Sequence, residues 1–83
     1  MKVKYLGKTF YDGFGLTNGN IYECIDIVEE INCLEIIDDE GEEFIYPIEN
    51  PGTLYDDTKG GKWEIVEDPD NKLTKAFKKL ELI

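Results

Sequence analysis

Two apolar runs, residues 33–38 and 43–46, meet at Asp39-Glu40-Gly41, and this arrangement commits the middle of the chain to an antiparallel hairpin. A type I turn followed by glycine in the left-handed region is one of the few short connections that bring two strands back alongside each other. On the outgoing strand Leu34 and Ile36 share one face while Glu35 takes the other. Residues 43–46 form the returning strand, and Pro47 is expected to end it because proline has no backbone donor.

Further strands follow from the same pattern. Residues 2–6 alternate polar and apolar side chains, as a half-buried strand does. Residues 21–30 read as a longer strand with a conflict built in. Ile21, Ile25 and Ile27 have one parity, Tyr22, Cys24 and Val28 the other. Such a strand is either apolar on both faces or carries a bulge, which we expect near Asp26. Residues 62–67 supply a fifth strand with the only tryptophan, Trp63, which is expected to be at least partly buried. Thr17-Asn18-Gly19-Asn20 is a turn signal. Two long loops remain, 7–20 and 48–62. The first holds Phe10, Tyr11 and Phe14 among four glycines, and most of these rings are expected to plug the open end of the fold while the rest face a partner. In the second, Tyr55 is placed either over Trp63 or toward solvent.

After Asp68-Pro69-Asp70 the period changes. Leu73, Ala76, Phe77 and Leu80 fall at i, i+3, i+4 and i+7, one face of an amphipathic helix with lysines around the rest. Isolated helices shorter than about 12–15 residues are marginal, so this stripe must find a surface. Its own sheet is the favoured one. Residues 1–70 hold 5 Lys against 18 acids, a balance of −13, and residues 71–83 hold 4 Lys against Glu81, +3, so body and tail attract. Exchange of the tail with a second copy, or capture by a foreign partner, are the alternatives.

With 83 residues the chain has room for one core, divided here into a body, 1–68, and a helical tail, 69–83. Its net charge of −10, with no Arg and no His, argues against direct nucleic-acid binding and against anionic membranes. No stretch approaches the roughly 20 apolar residues of a membrane span, and Met1 to Gly7 is too short for a signal peptide, so a cytoplasmic location is expected. There Cys24 and Cys33 remain reduced and bind no metal. General acid-base chemistry would need His, which is absent, or a carboxylate raised by burial, and nothing singles out one of the 19 acids; a thiol nucleophile without His lacks a base, so no catalytic residue is assigned and no enzyme activity is expected. The acidic run 38–43 lacks the ligand spacing of a calcium loop and reads as a solvated hairpin tip. No cofactor is implied.

Leu16-Thr17-Asn18-Gly19-Asn20-Ile21-Tyr22-Glu23-Cys24 and Ile37-Asp38-Asp39-Glu40-Gly41-Glu42-Glu43-Phe44-Ile45-Tyr46-Pro47 carry a resemblance. They look like the short SH3-like proteins of Gram-positive bacteria and their phages. The resemblance covers about three quarters of the chain and implies a mostly β fold: a small five-stranded SH3-like barrel, here with an added C-terminal amphipathic helix. It implies no chemistry. The 15 residues between Pro47 and Trp63, and the tail, depart from that family's pattern. The groove by which eukaryotic SH3 domains hold proline-rich peptides is missing its tryptophan near Cys33-Leu34.

The function expected is therefore that of a non-enzymatic protein-binding module working through an acidic surface and aromatic loops. One form of it is a nucleic-acid mimic that occupies a basic nucleic-acid-handling enzyme. A structural role in which the tail docks on a neighbouring subunit, and a weak nucleic-acid binder using the basic tail, are the alternatives. Candidate contact residues are Phe10, Tyr11, Phe14, Tyr55, Leu73, Phe77 and Leu80. A monomer is favoured over a tail-exchanged dimer.

Overall fold

The computed structural model describes residues 1–10, 15–54 and 61–83; of these, Thr53 and Leu54 are described in backbone only. Strands β1 (Lys2–Leu6), β2 (Ile21–Val28), β3 (Cys33–Ile37), β4 (Glu43–Pro47) and β5 (Lys62–Glu67) are followed by one helix, α1 (Lys72–Lys79). Short 3-10 turns occupy Glu29–Ile31 and Pro51–Leu54. All pairings are antiparallel and the strands form one sheet in the order β4-β3-β2-β1-β5. Among the described residues the edge strands β4 and β5 do not pair with each other, so the sheet is open rather than closed into a barrel. Two contacts nevertheless link the edges: the Trp63 indole N–H donates to the Pro47 carbonyl at 3.0 Å, and the rings of Tyr46 and Trp63 lie 6.4 Å apart.

The parity conflict in β2 is resolved by a bulge. Cys24 pairs with Ile36 and Asp26 with Glu35, leaving Ile25 as the extra residue. Tyr22 and Cys24 are buried before the shift, and after it Ile27 packs against the core while Ile25 is left exposed. A second bulge, which the sequence did not signal, lies in β5: Val3 pairs with Ile65 and Lys2 with Glu67, so Val66 is the extra residue and is likewise exposed. Pro47 is the last residue of β4, so the strand ends there as expected. It fits because the site opposite Cys33 does not bond to β3, so no ladder donor is lost.

At the hairpin the expected turn is present. The Gly41 N–H donates to the Asp38 carbonyl (2.9 Å), the Asp38 N–H to the Glu42 carbonyl (3.0 Å), and Gly41 has φ +75°. The core joins Val3 and Tyr5 of β1, Tyr22 and Cys24 of β2, Leu34 and Ile36 of β3, Tyr46, Ile48 and Trp63. Leu73, Ala76 and Phe77 of α1 complete it, so the tail is seated on its own sheet. Asp68 starts the helix by accepting from the Leu73 and Thr74 backbone N–H groups (3.1 and 2.8 Å) and from the Thr74 hydroxyl (2.8 Å). At the other end Glu81 adopts φ +59°, its N–H meets the Lys78 carbonyl, and the Leu82 N–H meets the Phe77 carbonyl. This is a Schellman ending made without glycine. No helix among the described residues is long and apolar enough to cross a membrane.

Candidate protein-binding surface

The run of acids at the β3–β4 turn is not a uniformly solvated tip, and this corrects the expectation. Asp38 is buried, with one carboxylate oxygen accepting from the Tyr46 hydroxyl (3.0 Å) and the other from the Glu40 and Glu42 backbone N–H groups (3.0 and 3.4 Å). Asp39 accepts from the Tyr22 hydroxyl and the Thr17 hydroxyl, each at 2.7 Å. Tyr22 in turn accepts from the Thr17 N–H at 2.6 Å, and the Asp39 N–H donates to the Gly15 carbonyl at 2.9 Å. Two adjacent aspartates therefore fasten the hairpin to two core tyrosines and to the end of loop 7–20. Burial and the Asp39 hydrogen bond push the Tyr22 phenol up to about 12, and burial with the Asp38 hydrogen bond raises Tyr46 in the same direction. Both phenols are neutral donors across the physiological range.

With Asp38 and Asp39 turned inward, Glu40, Glu42 and Glu43 are left at the surface. Beside them lies an aromatic row. Tyr46 contacts Phe44 at 5.4 Å and Phe10 at 6.2 Å between ring centroids, and Phe10 meets Tyr5 edge-on at 6.1 Å. Phe10 is half-buried, whereas Phe44 is 53% exposed although it shares the core-facing parity of Tyr46. Phe10 is admitted by Gly15, where a Cβ would lie 2.3 Å from the Phe10 ring. Thus one end of the sheet presents a large exposed ring, a second partly covered ring and three surface carboxylates within one hairpin and its neighbouring loop.

The other candidate residues fall differently. Leu73 and Phe77 are buried in the chain's own core and offer no surface while α1 is docked; Leu80 is half-buried against that core. Tyr11, Phe14 and Tyr55 lie outside the described residues. Phe44, Tyr22 and Tyr46 were not among the expected contact residues, and Asp38 and Asp39 entered only as part of the acidic run 38–43. Phe44 and Tyr46 could have been found from their shared parity with Leu34 and Ile36 across the hairpin. Asp38 meets Tyr46 eight residues away across the hairpin and Asp39 meets Tyr22 seventeen residues away, and neither pairing has a local motif to mark it.

A concavity of about 210 Å³ lies between Ile48, Trp63, Phe77 and Leu82 where the edge strands approach α1. Among the described residues no group of three or more Cys, Asp or Glu is arranged to hold a metal ion, and both cysteines are free thiols. Burial pushes the Cys24 thiol up to about 11 and raises Cys33 as well, so neither is predisposed to be a nucleophile at neutral pH. Comparison with known proteins finds no matching family model, no matching curated protein and no matching solved structure.

Proposed function

We propose that this chain is a non-enzymatic protein-binding module, an open-sheet relative of the SH3-like proteins of Gram-positive bacteria and their phages, that engages a basic partner through its acidic hairpin end. The observation that carries the reading is the exposed Phe44 ring on the same hairpin as the exposed Glu40, Glu42 and Glu43, a hairpin that Asp38 and Asp39 fasten in place. Exposed aromatics supply contact area at little entropic cost, and surface carboxylates steer a cationic partner toward them. A nucleic-acid-handling enzyme, whose groove is basic, is the partner class best matched to a chain of charge −10.

Affinity capture from bacterial lysate across a salt series, with Phe44→Ser and Glu42→Lys/Glu43→Lys proteins beside the parent, tests this. Basic proteins should be retained at low salt and released at high salt, and both variants should retain less. Capture indifferent to salt and to both variants refutes it.

One observation favours a second reading. Lys72, Lys75, Lys78 and Lys79 are exposed on the side of α1 away from the core, and none is within ion-pair distance of a described carboxylate. Retention of the protein on single-stranded DNA, lost in a protein with these four lysines replaced by Gln, would move the assignment to weak nucleic-acid binding. A docking role for the tail has less support, because Leu73 and Phe77 are already covered.

A further inference from the structure

The free edge of β4 adjoins the acidic hairpin, and its ladder phase can be worked out. The bond from the Asp38 N–H to the Glu42 carbonyl marks that pair as hydrogen-bonded. Antiparallel ladders alternate, so Ile36–Phe44 and Leu34–Tyr46 are bonded pairs while Ile37–Glu43, Glu35–Ile45 and Cys33–Pro47 are not. The peptide groups of Glu43 and Ile45 therefore point away from the sheet. No other described segment pairs with them. Pro47, next in that series, has no N–H to offer, and its carbonyl already accepts from Trp63.

An open edge is a template for another strand, and proteins commonly protect it with charge, proline or brevity. Here Pro47 protects one end only. Glu43, Phe44 and Ile45 are all exposed, a run of three with unpaired backbone at the first and third. The charge decides what can pair. A second copy would bring Glu42 and Glu43 against the same acidic edge in a chain already at −10, whereas a cationic strand would meet opposite charge.

We infer that β4 is a strand-addition site for an extended, basic segment of another protein, its backbone bonding to Glu43 and Ile45, with a Lys or Arg opposite Glu43 and an apolar side chain opposite Ile45. The residue opposite Phe44 occupies a non-hydrogen-bonded position of the new pair, where side chains approach closest, and a long cationic side chain there packs on the exposed ring. This rests on the acidic-hairpin reading above and specifies how that surface is used.

The test follows amide hydrogen exchange of the full chain by NMR during titration with a short peptide centred on Val-Lys-Lys, which antiparallel addition sets opposite Ile45, Phe44 and Glu43 in turn. A control peptide of the same sequence carries backbone N-methyl groups at alternate residues, keeping charge and losing donors. Strand addition should slow exchange at Glu43 and Ile45, leave Phe44 and Tyr46 as protected as before, and bind the N-methylated peptide weaker by about tenfold or more. Salt-sensitive binding at Glu40, Glu42 and Glu43 that is equal for both peptides, with no new protection, overturns strand addition and leaves the acidic-surface reading standing. No binding of either peptide overturns both. Protection at Glu43 and Ile45 that rises with protein concentration in the absence of peptide overturns the inference in favour of a second copy.

Discussion

The hairpin end and the helix end of this molecule are fastened by different means. At the hairpin end, Asp38 and Asp39 hold Tyr46, Tyr22 and Thr17 through directed hydrogen bonds, while the neighbouring Phe44 stays in water. At the helix end, Leu73, Ala76 and Phe77 disappear into the core, and one carboxylate, Asp68, orients the first turn. Directed bonds fix position at modest net stabilisation, whereas apolar burial supplies most of the stability with less directional control. The difference separates a surface that must keep its shape from an element that must stay attached.

The largest test of that contrast is Phe77→Ala. Removing a buried aromatic should cost about 3–5 kcal/mol of unfolding free energy in chemical denaturation. Tyr46→Phe, which leaves buried Asp38 with backbone donors only, should cost less, about 1.5–3 kcal/mol. If the order is reversed, the hairpin and not the helix supplies most of the stability, and the comparison fails.

Titration sharpens the contrast because the two ends respond at opposite extremes. The Tyr22 phenol is raised from its ordinary 10.0 to about 12, so its contribution is complete below pH 10.0 and is lost as pH rises through about 12. Tyr46 acts with the same sign. Asp68 is the converse: burial alone would raise it, but the hydrogen bonds from Thr74, Leu73 and Lys72 together lower it below 3.8. Its contribution is complete above 3.8 and lost as pH falls through that lowered value. Alkaline unfolding should therefore be less steep in Tyr22→Phe, and acid unfolding less steep in Asp68→Asn, with denaturation midpoints read across pH.

The smallest effects concern two left-handed backbone positions. Gly41, with φ +75° and nothing within 4 Å of an added Cβ, should cost about 1 kcal/mol when replaced by Val, through backbone strain alone. Glu81, at φ +59°, should give the opposite sign, Glu81→Gly stabilising by about 0.5–1 kcal/mol. Thermal midpoints of both variants measure the pair. Equal signs would show that the helix ending is not strained.

How much of this was legible in the sequence follows from the range of each interaction. The hairpin at Gly41, the bulge beside Asp26 and the helix carrying Leu73, Ala76 and Phe77 are recorded within a few residues of each other, and the structure has all three. The bulge at Val66 was missed because β5 is too short for its parity to conflict visibly. The non-glycine helix ending at Glu81 left no signal either, since only glycine or asparagine normally marks that position. The candidate surface was half legible: acids and aromatics could be counted, but which acids turn inward depended on Tyr22 and Tyr46 arriving from other strands. Leu73 and Phe77 were offered as partner contacts and as core at once, because an apolar stripe does not name its own cover.

The place of β1 in the sheet has a consequence for the order of events during synthesis. β1 precedes the other four strands in the chain, yet it lies between β2 and β5, with Val3 opposite both Tyr22 and Ile65. The β2–β3–β4 meander can assemble from near neighbours as soon as Pro47 is available. One side of β1 must wait until β5 has been translated, and the cover over the core waits for Phe77. Long-range closure of that kind sets the pace of folding in small β proteins. The β1 groups that face β5 thus leave the ribosome well before their partners do, and in that interval the nascent chain has β1 as a second unprotected edge that the finished molecule no longer shows.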